Sequence, residues 1–332
     1  MKKSSCGRDC DTCRFLMDFC PGCSEDCGAS ACKDRQCMRC DYLCPGRPGA
    51  IAFLNSLGGP EFPTLKGQKV KWPGQVPQLL PAVATRFTEM PAPGQLPWVA
   101  MNAARMVISR AYEAGGLRRD KGNMRGFARV HKDTKIVLHM YIPDPPLEAF
   151  WRTREKFYPA LREFDLVIAP NFSVYTDSPM LEHLINMKRS ILVYSEMLAA
   201  GVKAILDVSW GAYTDLDRWS NFIQENNIPV VSTSIQTVGQ NAGNSWREYL
   251  KGVCYLCRQI SEKTIIILCG AGTAEKMWQI KSELKQQVVF LTTQPFLLAR
   301  KGRMIDRRLA PGARDYDRLF LENTQALCEQ LE

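Results

Sequence analysis

The residues best placed to do inorganic chemistry are ten cysteines between Cys6 and Cys44, out of fourteen in a chain of 332 residues. They run Cys6, Cys10, Cys13, Cys20, Cys23, Cys27, Cys32, Cys37, Cys40 and Cys44, several of them only two or three residues apart. Loops that short let neighbouring thiolates converge on one ion or cluster. A disulfide framework would suit a small secreted domain. The opening MKKSSCGRDC has no apolar stretch to act as a signal peptide, however, and the rest of the chain is long enough to fold without staples. Zinc would pair Cys20-Pro-Gly-Cys23 with Cys37-Met-Arg-Cys40 in a closed four-thiolate site. Iron-sulfur ligation suits a donor set made of cysteine alone, since no histidine lies in the segment. It is the preferred reading, as one or two 4Fe-4S centres with the ten cysteines as candidate ligands, and zinc is the alternative.

Several of these spacings have relatives. The run Cys37-x2-Cys40-x3-Cys44-Pro45 resembles the end of a ferredoxin motif. Cys6-x3-Cys10-x2-Cys13 has the spacing of radical S-adenosylmethionine enzymes, and Gly58-Gly59-Pro60-Glu61 resembles their glycine-rich strand. No strand can precede Cys6, though, and seven more cysteines follow Cys13, so that reading is set aside. Taken together, residues 6–44 resemble a small cysteine-rich module of bacteria and archaea that has no assigned activity. Further on, Asn171-Phe-Ser-Val-Tyr-Thr-Asp-Ser-Pro179, Asp207-Val-Ser-Trp210 and Val231-Ser-Thr-Ser234 are similar to an uncharacterised bacterial and phage family, domain of unknown function 4417, over about residues 130 to 300. Neither resemblance implies a reaction.

The elements that must position any site come from residue 97 onward. A hydrophobic content of 45% with no apolar run of transmembrane length predicts a soluble, cytoplasmic chain without a membrane partner, one large domain plus an appendage. The expected division is a cysteine-rich module over 1–45, a Pro/Gly-rich connecting region over 46–96, and an α/β domain over 97–332 with a basic tail. Short strands are expected near Val70 and Ala84, and a helix over 97–114 from the spacing of Trp98, Met101, Ala104 or Arg105, and Ile108. From Lys135, short β-branched runs at 136–142, 166–169, 204–208, 230–234, 264–268 and 288–292 alternate with amphipathic segments at 147–164, 179–200, 215–227, 245–261 and 274–285. That alternation predicts a parallel sheet covered by helices. Six repeats, with two further strands from the connecting region, favour a (βα) barrel over a doubly wound sheet.

Either fold places ligands at the carboxyl ends of the strands. The polar residues there include Asp144, Asn171, Ser173, Tyr175, Asp177, Trp210, Ser232, Ser234, Gln236 and Thr292 to Gln294. Asp144 and Asp177 could instead serve as helix caps. Asp207 sits inside the apolar run Ala204-Ile-Leu-Asp-Val208, where a charge needs a partner or a role, so it is the leading catalytic candidate, with Asp177 and Asn171 beside it. Cys269-Gly-Ala-Gly-Thr273 joins an apolar strand to a helix, a geometry that offers backbone amides to a phosphate. Gly270, Gly272 and Thr273 are therefore the candidate cofactor-binding residues. His139, on the first strand, could point into a barrel or sit hydrogen-bonded in the core. Cys254, Cys257, Cys269 and Cys328 read as small buried residues. The net charge of +9 gathers in two clusters, from Arg118 to Lys135 and from Arg300 to Arg318. The partners this predicts are an anionic small molecule or nucleic-acid phosphate, and a redox partner protein. The function expected is an iron-sulfur protein acting on a polar anionic substrate, or a zinc protein that engages nucleic acid.

Overall fold

The computed structural model describes residues 48–65, 69–106, 124–176, 178–235, 243–310 and 315–332. Its centre is a closed, all-parallel eight-stranded barrel. The strands are β1 (Leu79–Val83), β2 (Trp98–Asn102), β3 (Lys135–His139), β4 (Leu166–Ile168), β5 (Ala204–Asp207), β6 (Val230–Ser234), β7 (Ile265–Cys269) and β8 (Val288–Thr292). Each pairs with the next in sequence, and β8 returns to β1 through Leu80↔Leu291, which closes the ring and decides against the doubly wound alternative.

Strand parity explains why the segments read as continuous apolar runs. Successive side chains point to opposite faces. Leu80, Ala82, Ala100, Val137, Leu166, Ile168, Ile205, Ile267, Cys269, Val289 and Leu291 form one cluster that fills the barrel. The intervening residues, among them Val99, Ile136, Leu138, Val167, Leu206, Val231, Ile266 and Phe290, join a second cluster with the surrounding helices. Both faces are buried, so no polar alternation marks these strands.

That concealment accounts for two differences from the sequence reading. Trp98 to Asn102 lies in β2, where a helix over 97–114 is expected, and only α2 (Ala103–Met106) of that stretch is helical among the described residues. Four buried apolar residues in a row satisfy a helical spacing as readily as a strand, and pairing with β1 and β3 settles the choice. Among the described residues near Val70 there is no strand. The loop there carries Trp72 onto Trp98, ring centroids 4.9 Å apart, and packs with the cluster inside the barrel. β1 forms close to the expected position near Ala84, so the barrel takes its first strand from 46–96.

The helices are α1 (Pro48–Ser56), α3 (Met124–Ala128), α4 (Asp144–Thr153), α5 (Tyr158–Leu161), α6 (Met180–Ala199), α7 (Tyr213–Glu225), α8 (Gly243–Gln259), α9 (Ala274–Glu283), α10 (Gln294–Arg300) and α11 (Tyr316–Glu329). α1 falls in the Pro/Gly-rich region. Pro48 starts it without loss, because the first turn lacks partners for its N–H groups. Its Ile51 and Leu54 pack against Leu181, Leu184 and Ile185 of α6. Among the described residues no helix is long and apolar enough to cross a membrane.

Candidate functional site

Chain direction brings the carboxyl ends of all eight strands to one end of the barrel, and a polar cluster lies just inside it. Asp207, the last residue of β5, is wholly buried and points into the barrel in register with Ser232 of β6. Tyr141, two residues beyond His139 on the same inward face, donates its hydroxyl to Asp207 Oδ1 at 2.6 Å. Ser232 Oγ donates to the same oxygen at 3.0 Å. Asp207 Oδ2 and both ring nitrogens of His139 have no partner among the described residues, although both side chains are buried. Buried polar groups are rarely left so, and each unmet bond costs about 1–3 kcal/mol.

Burial sets the charge states. Loss of water pushes the Asp207 carboxyl up to about 7, against the opposing pull of the bonds from Tyr141 and Ser232. Burial lowers His139 to about 4, so its imidazole is neutral near pH 7. The Tyr141 phenol is raised by burial and by the negative charge of Asp207, and it stays a donor. With Oδ1 accepting two bonds, the proton that Asp207 gains and loses near neutrality belongs on Oδ2.

A cavity of about 560 Å³ opens beside this cluster, between the loops after β4 and β5, the end of β6, and α7 and α8. Its lining includes Asn171, Ser173, Thr176, Ser209, Trp210, Tyr213, Ser234 and Tyr249. Ser234 belongs to the cavity and to the inward row of β6, two residues beyond Ser232, a rise of about 7 Å. A larger cavity, about 730 Å³, lies at the opposite end, where Leu79 and Trp98 begin their strands. None of the candidate residues lines it, and barrel chemistry sits at the carboxyl end.

One ion pair holds two walls of the smaller cavity. His183 of α6 faces Asp215 Oδ2 through Nδ1 at 2.8 Å and the Tyr175 carbonyl through Nε2 at 2.8 Å. Asp215 Oδ2 also accepts the amides of Gly211 and Ala212, each at 3.0 Å, and Oδ1 accepts from Arg218. Both ring nitrogens face acceptors, which favours the imidazolium. Burial lowers the His183 pKa, but the hydrogen bond and charge of Asp215 outweigh it and leave the value raised. Asp215 is held below its usual range, the bond and charge of His183 outweighing its own burial. Position 211 has to be glycine, since a Cβ there would run into the His183 ring. Gly252 performs the same service for Trp210, whose indole stacks on Tyr249 with centroids 5.0 Å apart.

Asp207 is in the interior cluster, and Asn171 lines the cavity without joining that cluster. Gly270, Gly272 and Thr273 form the turn from β7 into α9, with φ of +97° and +74° at the two glycines. Thr273 caps α9 by accepting from Lys276 N at 3.4 Å. The amides of Gly270 and Thr273 already donate to the Leu291 and Ala271 carbonyls. Asp177 and the ten cysteines from Cys6 to Cys44 lie outside the described residues, as does Gln236. Asp144 is exposed at the start of α4 and makes no capping bond for it. Cys254 and Cys257 are core residues of α8, and burial raises the Cys257 thiol to about 12. Sequence reasoning missed Tyr141 and the pairing of His183 with Asp215. The inward parity of His139 was the available signal for Tyr141.

Every residue of the cluster, the cavity and the ion pair lies between His139 and Gly252. Residues 123–283 match the family described as Domain of unknown function (DUF4417). The match carries the resemblance drawn from the motifs at 171–179, 207–210 and 231–234, and it runs from the start of α3 through α9. The DUF4417 segment thus supplies strands β3 to β7 and the whole candidate site, while β1, β2, β8 and the cysteine-rich segment lie outside it. No curated protein matches the chain.

Proposed function

We propose that this protein is a barrel enzyme in which Asp207 transfers a proton to and from a polar substrate bound at the carboxyl end of the strands. The observation that carries this reading is one buried carboxyl whose Oδ1 accepts from Tyr141 and Ser232 while Oδ2 has no partner among the described residues. A group that titrates at about 7 can act as acid and as base at physiological pH. Tyr141 and Ser232 fix the carboxyl plane, and neutral His139 adds no positive charge to the barrel interior. Ser234 links the cavity to this centre, being in the cavity lining and on the same strand face as Ser232. The turn at Gly270, Gly272 and Thr273 has two of its amides already bonded to carbonyls and lies outside the cavity lining, so it is not part of the proposed site.

The proposal includes the amino-terminal cysteines as ligands of one or two 4Fe-4S clusters, on the strength of a donor set with ten thiolates and no histidine. Such clusters supply single electrons when bound. Asp207 and its hydroxyl partners would manage the accompanying protons. Among the described residues no group of three or more His, Cys, Asp or Glu side chains could hold a metal ion.

Protein purified without oxygen should contain iron and acid-labile sulfide in near-equal amounts, in both wild type and Asp207→Asn. Zinc alone would overturn the cluster and favour the structural-zinc alternative. Absence of iron, sulfide and zinc together would overturn both.

A further inference from the structure

We propose that the cavity beside the barrel mouth binds an uncharged ring that carries hydroxyl groups, the chemistry shared by sugars and nucleosides. This deepens the proposed function by naming what the site holds, and it rests on that reading only for the reaction that follows binding. The lining offers the Asn171 amide and the Ser173 and Thr176 hydroxyls, groups that match a ring edge of alternating donors and acceptors. Aromatic surface accompanies them. Tyr175 and Tyr213, each 46% exposed, stand at the cavity, and the stacked pair of Trp210 and Tyr249 forms part of its wall. Amphipathic aromatic side chains and a few polar groups are the usual partners of a small uncharged ligand.

Charge argues for the uncharged class. The protein carries +9, yet no lysine or arginine is among the described residues that line this cavity. Its one charged member, Glu248, is exposed and pairs with Lys251 at 2.7 Å. Arg218, the cation nearest in sequence to the wall at 209–213, is turned to Asp215. A free phosphate would find no counter-charge here. The size agrees, since about 560 Å³ falls within the range of small-molecule sites.

The test is calorimetric titration of the full chain with adenosine, uridine, glucose and maltose, and separately with adenosine 5′-monophosphate. At least one uncharged compound should bind saturably, and the set that binds tells nucleoside from sugar. Asn171→Ala and Tyr213→Ala, both away from the core, should each weaken it about tenfold, a change worth about 1.4 kcal/mol. Asp207→Asn, outside the cavity lining, should bind the same compound as wild type does. No saturable binding by any uncharged compound, binding by the monophosphate alone, or binding indifferent to both cavity variants would overturn the inference. Binding that survives while Asp207→Asn still turns the bound compound over would instead overturn the proposed function and leave this inference standing.

Discussion

Removing the His183 imidazole should loosen the cavity and cost the fold a measurable, pH-dependent amount. The side chains of His183 and Asp215 are 6% and 1% exposed and meet at 2.8 Å, so the pair is shielded from salt and water. Breaking a buried pair by deleting one partner costs about 3–5 kcal/mol, chiefly because the other charge is stranded. Asp215 would keep the Gly211 and Ala212 amides and Arg218, which places His183→Ala at the lower end, about 3 kcal/mol. The pH dependence follows from the two shifts. His183 is raised above 6.5, so its contribution is complete below that pH and fades as pH rises through the folded value. Asp215 is lowered from 3.8, so its contribution is complete above that pH and is lost as pH falls through the folded value. Urea unfolding of wild type and His183→Ala at pH 5.5 and pH 9 should therefore give the larger difference at pH 5.5. A difference below about 1 kcal/mol at pH 5.5, or one equal at the two pH values, would refute the argument.

Four further outcomes follow from the same geometry. Asp207→Asn should stabilise the protein at pH 8 relative to pH 4, by up to about 4 kcal/mol on chemical unfolding. A carboxyl moved from 3.8 to about 7 makes the folded state bind the extra proton, so wild-type stability falls as pH climbs through that window. Gly211→Ala should cost about 1–3 kcal/mol in wild type and clearly less in His183→Ala, a coupling that a double-mutant cycle measures. Gly252→Ala would put a Cβ 2.9 Å from the Trp210 indole nitrogen, so it should change the fluorescence of Trp210 and cost about 1–2 kcal/mol on unfolding. Asp315→Ala should cost about 1 kcal/mol in thermal unfolding, because Asp315 caps α11 by accepting from Arg318 N at 3.0 Å.

Much of the barrel can be read in the sequence, and the part that cannot has a physical cause. From Lys135 on, loops with polar and glycine punctuation separate short β-branched runs from amphipathic helices, and this is how β3 to β8 are recognised. Before that point the strands are short and apolar on both faces, and Pro-rich loops set them apart. Leu79 to Val83 and Trp98 to Asn102 therefore lack any period of their own until their neighbours pair with them. The candidate site divides along the same line. Asp207 stands out as a charge within an apolar run, a purely local signal. Tyr141, just past β3, becomes its partner across one intervening strand, β4, and His183 finds Asp215 thirty-two residues away. Such pairings depend on register and helix placement, which no short window of sequence contains. The cavity belongs with them, since its residues come from two loops, one strand and two helices.

In the proposed function Asp207 holds and releases a proton near neutral pH inside the barrel. The most direct test is a carboxyl-carbon NMR titration of the full chain labelled at aspartate, with Asp207→Asn to assign the resonance. The expected midpoint is near 7 for the resonance that Asp207→Asn removes. A resonance that titrates in the ordinary range around 4 would contradict it, as that would mean a carboxylate already ionised and without a proton to give.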